Sequence, residues 1–192
     1  YRENSVSAFV SIMRGCDNFC SYCIVPYTRG RERSRNSDSI IKEVVSLNEK
    51  GVKEITLLGQ NVNSYICPAT KMTFAKLLEN CSEINPDIWF RFITSHPKDM
   101  SEELIDVISQ HQNICKHIHL PLQAGSNRIL KLMNRKYTRE HYLSLIEKIR
   151  TKNPECAITT DIIAGFPSET IDEHKQTLST IESIRFDGAF MF

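Results

Sequence analysis

Six short apolar runs, separated by helical patterns, constrain the fold of this 192-residue chain more than any other feature. Their central residues are mostly Val, Ile and Phe, which is typical of strands buried in a parallel sheet. These runs predict strands over residues 8–13, 54–58, 89–94, 117–120, 157–164 and 189–192.

Helical patterns fill the intervals between these strands. Residues 38–50 repeat apolar side chains on one face, and Gly51 follows as a helix stop. Thr170 and Glu173 have the spacing of a capping box, so the last helix is predicted to begin there. Further helices are predicted over residues 73–84, 101–109 and 139–152.

The strands and helices form six units in series, with no hairpin signal between them. This order predicts an α/β fold with a parallel sheet and right-handed crossovers. The periodicity fits an open doubly wound sheet and an incomplete barrel equally well. Gly, Pro and polar residues follow the first five strands, and such loops form the active sites of parallel α/β folds. Five loops around one centre favour a curved sheet.

Composition and charge narrow the functional classes. The net charge is +1, so the overall charge argues neither for nor against a nucleic-acid partner. No apolar run approaches the roughly 20 residues of a membrane span, and the first residues lack a signal-peptide core. We therefore expect a cytoplasmic location without membrane attachment. Both ends look cut, and residues 1–192 read as one excised middle domain.

A cysteine motif, C-x-x-x-C-x-x-C, stands directly after the first strand as Cys16, Cys20 and Cys23. Three thiolates on a short loop can bind three irons of a cubane cluster and leave the fourth iron open. A structural zinc is the alternative, but it commonly takes two C-x-x-C pairs. The remaining cysteines are isolated in the sequence: Cys67, Cys81, Cys115 and Cys156.

Several other stretches occur together with this motif and in a fixed order. They are Ser-Ile-Met-Arg-Gly-Cys (11–16), Ile-Val-Pro-Tyr (24–27), Arg-Gly-Arg-Glu-Arg-Ser-Arg (29–35), Gln-Asn-Val-Asn-Ser-Tyr (60–65), Ser-His-Pro (95–97), Leu-Gln-Ala-Gly-Ser (122–126), Met-Asn-Arg-Lys-Tyr (133–137) and Gly-Phe-Pro-Ser-Glu-Thr (165–170). With them the chain resembles the radical SAM superfamily. Within it the chain is most similar to the MiaB-type methylthiotransferases, which act on tRNA.

The resemblance implies a partial (β/α)₆ barrel and a set of cofactor contacts. In that family the three cysteines hold a [4Fe–4S] cluster whose open iron binds S-adenosylmethionine (SAM). Tyr22, the aromatic residue before the third cysteine, would pack on the adenine. The polar turn of Gln60, Asn61 and Asn63 would contact SAM. Further candidate SAM contacts are Gln123, Gly165 and Phe166.

The implied reaction is methylthiolation at carbon 2 of N6-isopentenyladenosine beside the tRNA anticodon. SAM would serve as methyl donor and as radical source. A second [4Fe–4S] cluster would lie in an N-terminal domain, and a flavodoxin or ferredoxin would supply electrons. Three alternatives stay open: methylthiolation of another tRNA adenosine or a ribosomal protein, a radical SAM enzyme sharing only the core, and a zinc-stabilised RNA-binding module.

A basic run follows the cysteine loop. It is either a solvated edge or a contact for tRNA phosphates or SAM. Alternate residues of an extended segment face the same way, so the parity of this run predicts that its four guanidinium groups share one side: Arg29, Arg31, Arg33 and Arg35. His117 and His119 are expected to differ, with one facing the core. His96 and Ser126 are assigned no definite role.

Overall fold

All six predicted strands are present in the computed structural model, which describes residues 5–192. Residues 1–4 of the predicted domain lie outside the described residues. Two further strands of two residues each are present, and one of them begins at Met13, the last residue of the first predicted strand. The strands are β1 (Ser7–Ser11), β2 (Met13–Arg14), β3 (Arg33–Ser34), β4 (Glu54–Leu58), β5 (Trp89–Phe92), β6 (His117–His119), β7 (Ala157–Ile162) and β8 (Gly188–Met191).

The six longer strands are parallel and adjacent in chain order. β1 pairs with β4 and β4 with β5, while β6 pairs with β7 and β7 with β8. The two groups join at Phe90, which donates to Asn113 O at 2.8 Å and accepts from Cys115 N at 2.9 Å. A doubly wound sheet reverses its strand order part-way along. This sheet does not, so it is the partial barrel rather than the doubly wound alternative.

The sheet has one face covered by helices and one concave face. Val10, Ile55, Phe90 and Ile118 alternate with the concave-facing residues and are fully buried beneath the helices. On the concave face Phe9 is 69% exposed. Burial of the outer face supplies the hydrophobic stabilisation, and the concave face remains open.

Seven α-helices lie in the described chain: α1 (Val25–Arg29), α2 (Ser37–Glu49), α3 (Phe74–Ser82), α4 (Glu102–Gln110), α5 (Asn127–Leu132), α6 (Arg139–Lys152) and α7 (Ile171–Ile184). Two single turns of 3₁₀ helix follow β4 and β5. The capping box at Thr170 and Glu173 is confirmed. The sequence missed α1 and α5 because two turns or fewer show no clear 3.6-residue period.

The parallel sheet is confirmed, but the structure adds one antiparallel ladder for which the sequence showed no hairpin signal. Met13 pairs with Ser34 and Arg14 with Arg33 in an antiparallel ladder between β2 and β3. Strands of two residues carry no alternation that a sequence could reveal. The pair brings the second half of the basic run, at Arg33 and Ser34, back onto the segment that directly follows β1. No helix within residues 5–192 is long and apolar enough to span a membrane.

The expectation that one of His117 and His119 faces the core was wrong. The two residues are separated by one position and therefore share a face, while Ile118 between them is buried. Both imidazoles bond to Thr159 Oγ1, at 2.9 and 3.0 Å. These histidines line the concave face.

Candidate active site

The loops at the carboxyl ends of the strands contact one another in series. Gln60, after β4, bonds to Gly15, and Val62 N donates to Thr94 O after β5 at 2.9 Å. Gln123 N, after β6, donates to Asp161 O of β7 at 2.8 Å. These contacts join the first three of the five loops that the sequence predicts to share one centre, and they tie the fourth loop to β7.

The cysteine loop also contacts the segment that follows α5. Ser21 N donates to Met133 O at 3.1 Å, and Asn134 Nδ2 donates to Phe19 O at 2.8 Å. In a flat sheet the ends of β1 and β6 would be roughly 15 Å apart, since neighbouring strands lie about 4.8 Å apart. The curvature of the barrel therefore makes these contacts possible.

The start of the cysteine loop is fixed by its backbone. Gly15 has φ of +77°, and a Cβ there would lie 2.1 Å from Arg31 O, so only glycine fits. Its N–H donates to Gln60 Oε1 at 2.8 Å. Cys16 N donates to Gly30 O at 3.2 Å. The basic run thus forms the wall against which the first cysteine is held.

Arg135 connects the cysteine loop to the far side of the barrel. Its Nη1 donates to Cys20 Sγ at 3.3 Å and to the Tyr22 hydroxyl at 3.4 Å. Its Nε donates to the Tyr137 hydroxyl at 3.1 Å, and that hydroxyl donates to Leu122 O at 2.8 Å. The guanidinium also lies 5.1 Å from the centre of the Tyr137 ring, within the range of a cation–π contact.

The electrostatics of this cluster favour a charged arginine facing sulfur. Burial alone would lower the pKa of Arg135, but the facing Tyr137, Tyr22 and Cys20 groups raise it above its ordinary value. Burial raises the pKa of Tyr22, although Arg135 opposes the shift. Arg135 therefore presents a fixed positive charge to the sulfur of Cys20, and Tyr22 stays protonated.

The three residues after β4 that are predicted to contact SAM differ in their burial and in their hydrogen-bond partners. Gln60 already accepts from Gly15, as described above. Asn61 is buried and donates from Nδ2 to Asp99 Oδ2 at 2.7 Å. The Oδ1 atoms of Asn61 and Asn63 are buried without a hydrogen-bond partner in the described chain. Unpaired buried oxygens are costly, and they mark this turn as a place where a ligand donor could bind.

The other predicted contacts lie on neighbouring loops. Tyr22 is 39% exposed at the end of the cysteine loop. Gln123 is buried with φ of +69°, and Gly165 has φ of +73° with open space around its Cα. Phe166 packs partly against the core. The structure places these side chains on the loop side of the barrel, and their roles toward SAM stay predictions.

His96 is buried between charged neighbours. Its Nδ1 accepts from Lys98 N at 3.2 Å, so the ring caps the 3₁₀ turn that follows. Burial, together with the positive charges of Arg135, Lys98 and Lys136, lowers its pKa to about 2. Ser126 caps α5 and bonds to Glu173. Both residues thus have structural partners, which the sequence could not reveal.

A family comparison decides how this arrangement is classified. The sequence model of the Radical SAM superfamily matches residues 10–181. The chain belongs to the radical SAM superfamily. Its cofactors are accordingly SAM and a [4Fe–4S] cluster.

Several curated relatives of this radical SAM chain share one name. A tRNA-2-methylthio-N(6)-dimethylallyladenosine synthase of Bacteroides fragilis is 60% identical over 98% of the chain. One of Thermoanaerobacter pseudethanolicus is 57% identical over 100% of it. The chain spans 42% and 41% of the lengths of these relatives. The resemblance drawn from the motifs is confirmed.

A solved structure supports the fold. The radical S-adenosylmethionine methyltransferase TsrM from Kitasatospora setae, with cobalamin and a [4Fe–4S] cluster bound, matches 95% of this chain and 36% of its own with a TM-score of 0.76. The identity is 17%, so this likeness concerns the fold alone. The partial barrel predicted for a radical SAM chain is confirmed.

The cysteine side chains fit such a cluster. All seven cysteines are free thiols, and Cys16, Cys20 and Cys23 lie on one loop. Across residues 5–192, no three His, Cys, Asp or Glu side chains converge closely enough to hold a single metal ion. A cubane has no such requirement, because each thiolate binds a different iron. The donor set therefore suits a radical SAM cluster better than the zinc alternative.

The prediction for the basic run was wrong in its geometry. Arg29 ends helix α1 and Gly30 turns the chain with φ of +75°, so the run is not one extended segment. Arg31 pairs with Asp17 at 2.9 Å, and Arg35 pairs with Glu43 at 2.8 Å. Because helix α1 includes Arg29, the alternation of side chains expected for an extended segment does not apply to the whole run. Sequence reasoning also gave no role to Arg135 or Asn134, although both stood in a matched stretch.

Proposed function

We propose that this chain is the SAM-cleaving core of a tRNA methylthiotransferase. The substrate would be N6-isopentenyladenosine beside the anticodon, and the product its 2-methylthio form. The observation that carries the proposal is the 60% identity to a curated synthase over nearly the whole chain. The intact cysteine loop at the carboxyl end of the barrel supports it.

Cys16, Cys20 and Cys23 would hold the [4Fe–4S] cluster, which supplies the electron for reductive cleavage of SAM when bound. The chain's own residues position these ligands. Arg135 neutralises charge at Cys20, and Asn18 Nδ2 lies 3.4 Å from Cys16 Sγ, within reach of a weak hydrogen bond. Donors and a cation beside thiolates stabilise their charged form.

The unpaired oxygens of Asn61 and Asn63 supply acceptors for a ligand such as the ammonium group of SAM. The exposed ring of Tyr22 provides an apolar surface beside the third cysteine. The backbone of the Gly165 loop leaves room for adenosine. In this arrangement the polar turn after β4 orients SAM, and the aromatic side chains shield it from water.

The chain spans 42% of the length of the curated synthase, so the remaining parts of the reaction would involve further segments of such a protein. The second [4Fe–4S] cluster, the flavodoxin or ferredoxin donor and the cytoplasmic location stay predictions. The test uses a protein of the relatives' length that contains this chain, with isopentenylated tRNA, SAM and a reductant. Mass spectrometry of the digested tRNA should show the 2-methylthio nucleoside. Release of 5′-deoxyadenosine without any change in tRNA would instead favour another radical SAM reaction.

A further inference from the structure

A cavity of about 620 Å³ opens beside the cysteine loop, at the carboxyl ends of β1 and β4. Arg14 of β2, Arg29 at the end of α1 and Arg33 of β3 lie in its wall. Gln60 also lines it and, through its bond to Gly15, connects the cavity to the cysteine loop. Within residues 5–192, no acidic side chain lines the cavity.

These three arginines have no anionic partner in the part of the chain that the structure describes. Their neighbours in the basic run differ, because Arg31 and Arg35 are neutralised by Asp17 and Glu43. The lining arginines make no such ion pair and no side-chain hydrogen bond within residues 5–192. All three are exposed. The structure thus divides the run into paired and unpaired guanidinium groups.

The unpaired charges also oppose one another. Arg14 and Arg33 are direct partners in the antiparallel β2–β3 ladder. Like charges directly opposite each other destabilise a sheet, and a local conflict of this kind is typical of functional positions. An anion bound between them would turn the repulsion into attraction.

We propose that this arginine cavity binds a phosphodiester group of the RNA substrate. The inference rests on the proposed function, which makes RNA the substrate. The planar fork of arginine matches phosphate oxygens. Three exposed cations around an open cavity suit a polymer with repeated charges, whereas the carboxylate of SAM has a single charge. Arg14 thereby joins Arg29 and Arg33 in substrate binding, and Arg31 and Arg35 do not take part.

The experiment measures fluorescence anisotropy of a labelled anticodon stem–loop RNA at increasing KCl, without SAM or reductant. The variant Arg14→Gln/Arg33→Gln should bind on the order of tenfold more weakly per lost arginine at low salt. Its salt slope should flatten by roughly 0.7 to 1 unit per arginine, because fewer counterions are released. Arg14→Lys/Arg33→Lys should keep the wild-type slope with part of the affinity lost, since lysine retains charge but lacks the fork.

The matched control is Lys42→Gln/Lys53→Gln, which removes the same charge elsewhere. Lys42 is exposed on α2, and Lys53 is exposed immediately before β4, at the opposite end of the barrel. The RNA affinity and the salt slope of this control variant should match those of the wild type. If the glutamine pair fails to fold, Arg29→Gln carries the same test, because Arg29 lies outside the ladder. Wild-type affinity and slope in the glutamine variants, or an equal loss in the control, would overturn the proposal.

A second arm separates RNA from SAM. Equilibrium dialysis measures SAM binding to the iron-reconstituted protein. Loss of SAM binding in Arg14→Gln/Arg33→Gln, with RNA binding unchanged, would overturn the proposal. The outcomes also distinguish the two proposals. Arginine-dependent RNA binding without SAM cleavage would contradict the proposed function alone. Formation of the methylthio product by a variant with unchanged RNA binding would contradict only the arginine cavity.

Discussion

The guanidinium of Arg135 donates to the sulfur of Cys20, 115 positions earlier in the chain, at 3.3 Å. The contact crosses the barrel from the segment after α5 to the loop after β1. The same guanidinium reaches the hydroxyls of Tyr22 and Tyr137. One side chain therefore joins the second cysteine, the aromatic residue before the third cysteine and the loop after β6.

Replacing Arg135 should loosen all of these contacts together. We expect Arg135→Lys to lower the free energy of unfolding by about 2–4 kcal/mol, since hydrogen bonds to charged groups contribute about 1.5–3 kcal/mol each and lysine lacks the planar fork. Urea unfolding measures the change. Lys136→Gln, an exposed neighbour, should shift it by less than about 0.5 kcal/mol. Equal effects in the two variants would contradict the bridging role.

The cysteine loop was predictable from the sequence because its three cysteines are close together in the chain. The contacts that hold the loop come from residues far away in the chain, and they were not predictable. Cys16, Cys20 and Cys23 lie within one loop, so their spacing reports a shared ligand directly. Asn134 and Arg135 reach that loop only after the barrel has curved through four strands. No local period encodes such a contact.

The secondary-structure elements also divide into those that the sequence predicts and those that it does not. The strands and long helices follow from hydrophobic periodicity, which a sequence displays. The β2–β3 ladder and α1 do not, because each is too short to show a period. That pair of elements decides which arginines are paired with carboxylates and which remain free. The sequence indicated the basic run as a possible phosphate contact, but the selection of Arg14, Arg29 and Arg33 required the structure.

Two glycines next to the basic run offer a matched test of close packing. Both have positive φ, +77° at Gly15 and +75° at Gly30. A Cβ at Gly15 would lie 2.1 Å from Arg31 O, while one at Gly30 would meet nothing within 4 Å. We expect Gly30→Ala to cost about 1–3 kcal/mol from backbone conformation alone, because its φ of +75° with ψ of −166° is a region that essentially only glycine adopts. Gly15→Ala should cost at least about 2 kcal/mol more, because backbone atoms must also shift.

Thermal or urea unfolding of these two glycine variants provides the measurement. After reconstitution, Gly15→Ala should also bind less iron than Gly30→Ala, since Gly15 directly precedes Cys16. Similar costs at the two positions would show that the contact with Arg31 O is not restrictive.

The Arg14–Arg33 pair predicts an unusual gain in stability. Arg33→Gln removes one of two like charges facing each other across the ladder. Without RNA and at low salt, we expect the free energy of unfolding to rise by about 0.2–1 kcal/mol. Added salt should reduce the gain, because screening already weakens the repulsion. A clear loss of stability at every salt concentration would argue that Arg33 is held by attractive contacts.

His96 predicts a dependence of stability on pH. Its pKa is lowered to about 2 in the folded chain, mainly by burial and then by nearby positive charges. An unfolded histidine has a pKa of about 6.5, so between these values the unfolded state binds more protons. Stability should therefore fall as the pH drops below about 6.5, by up to about 1.4 kcal/mol per pH unit from this residue.

The variant His96→Gln should have a correspondingly flatter profile from pH 6.5 toward pH 4, below which protonated carboxylates also contribute. Urea unfolding across this range compares the two proteins. An unchanged slope in the variant would mean that His96 is protonated in the folded state.

The central claim is that three cysteines hold a cluster that cleaves SAM, and one measurement tests it most directly. After anaerobic reconstitution, the chain is incubated with SAM and a strong reductant, and 5′-deoxyadenosine is quantified alongside bound iron. We predict about four irons per chain and release of 5′-deoxyadenosine by the wild type. Cys81→Ala, a buried cysteine on α3, should retain both. Cys16→Ala, Cys20→Ala and Cys23→Ala should lose both. Bound zinc in place of iron, or 5′-deoxyadenosine release that survives loss of any one of the three cysteines, would contradict the account.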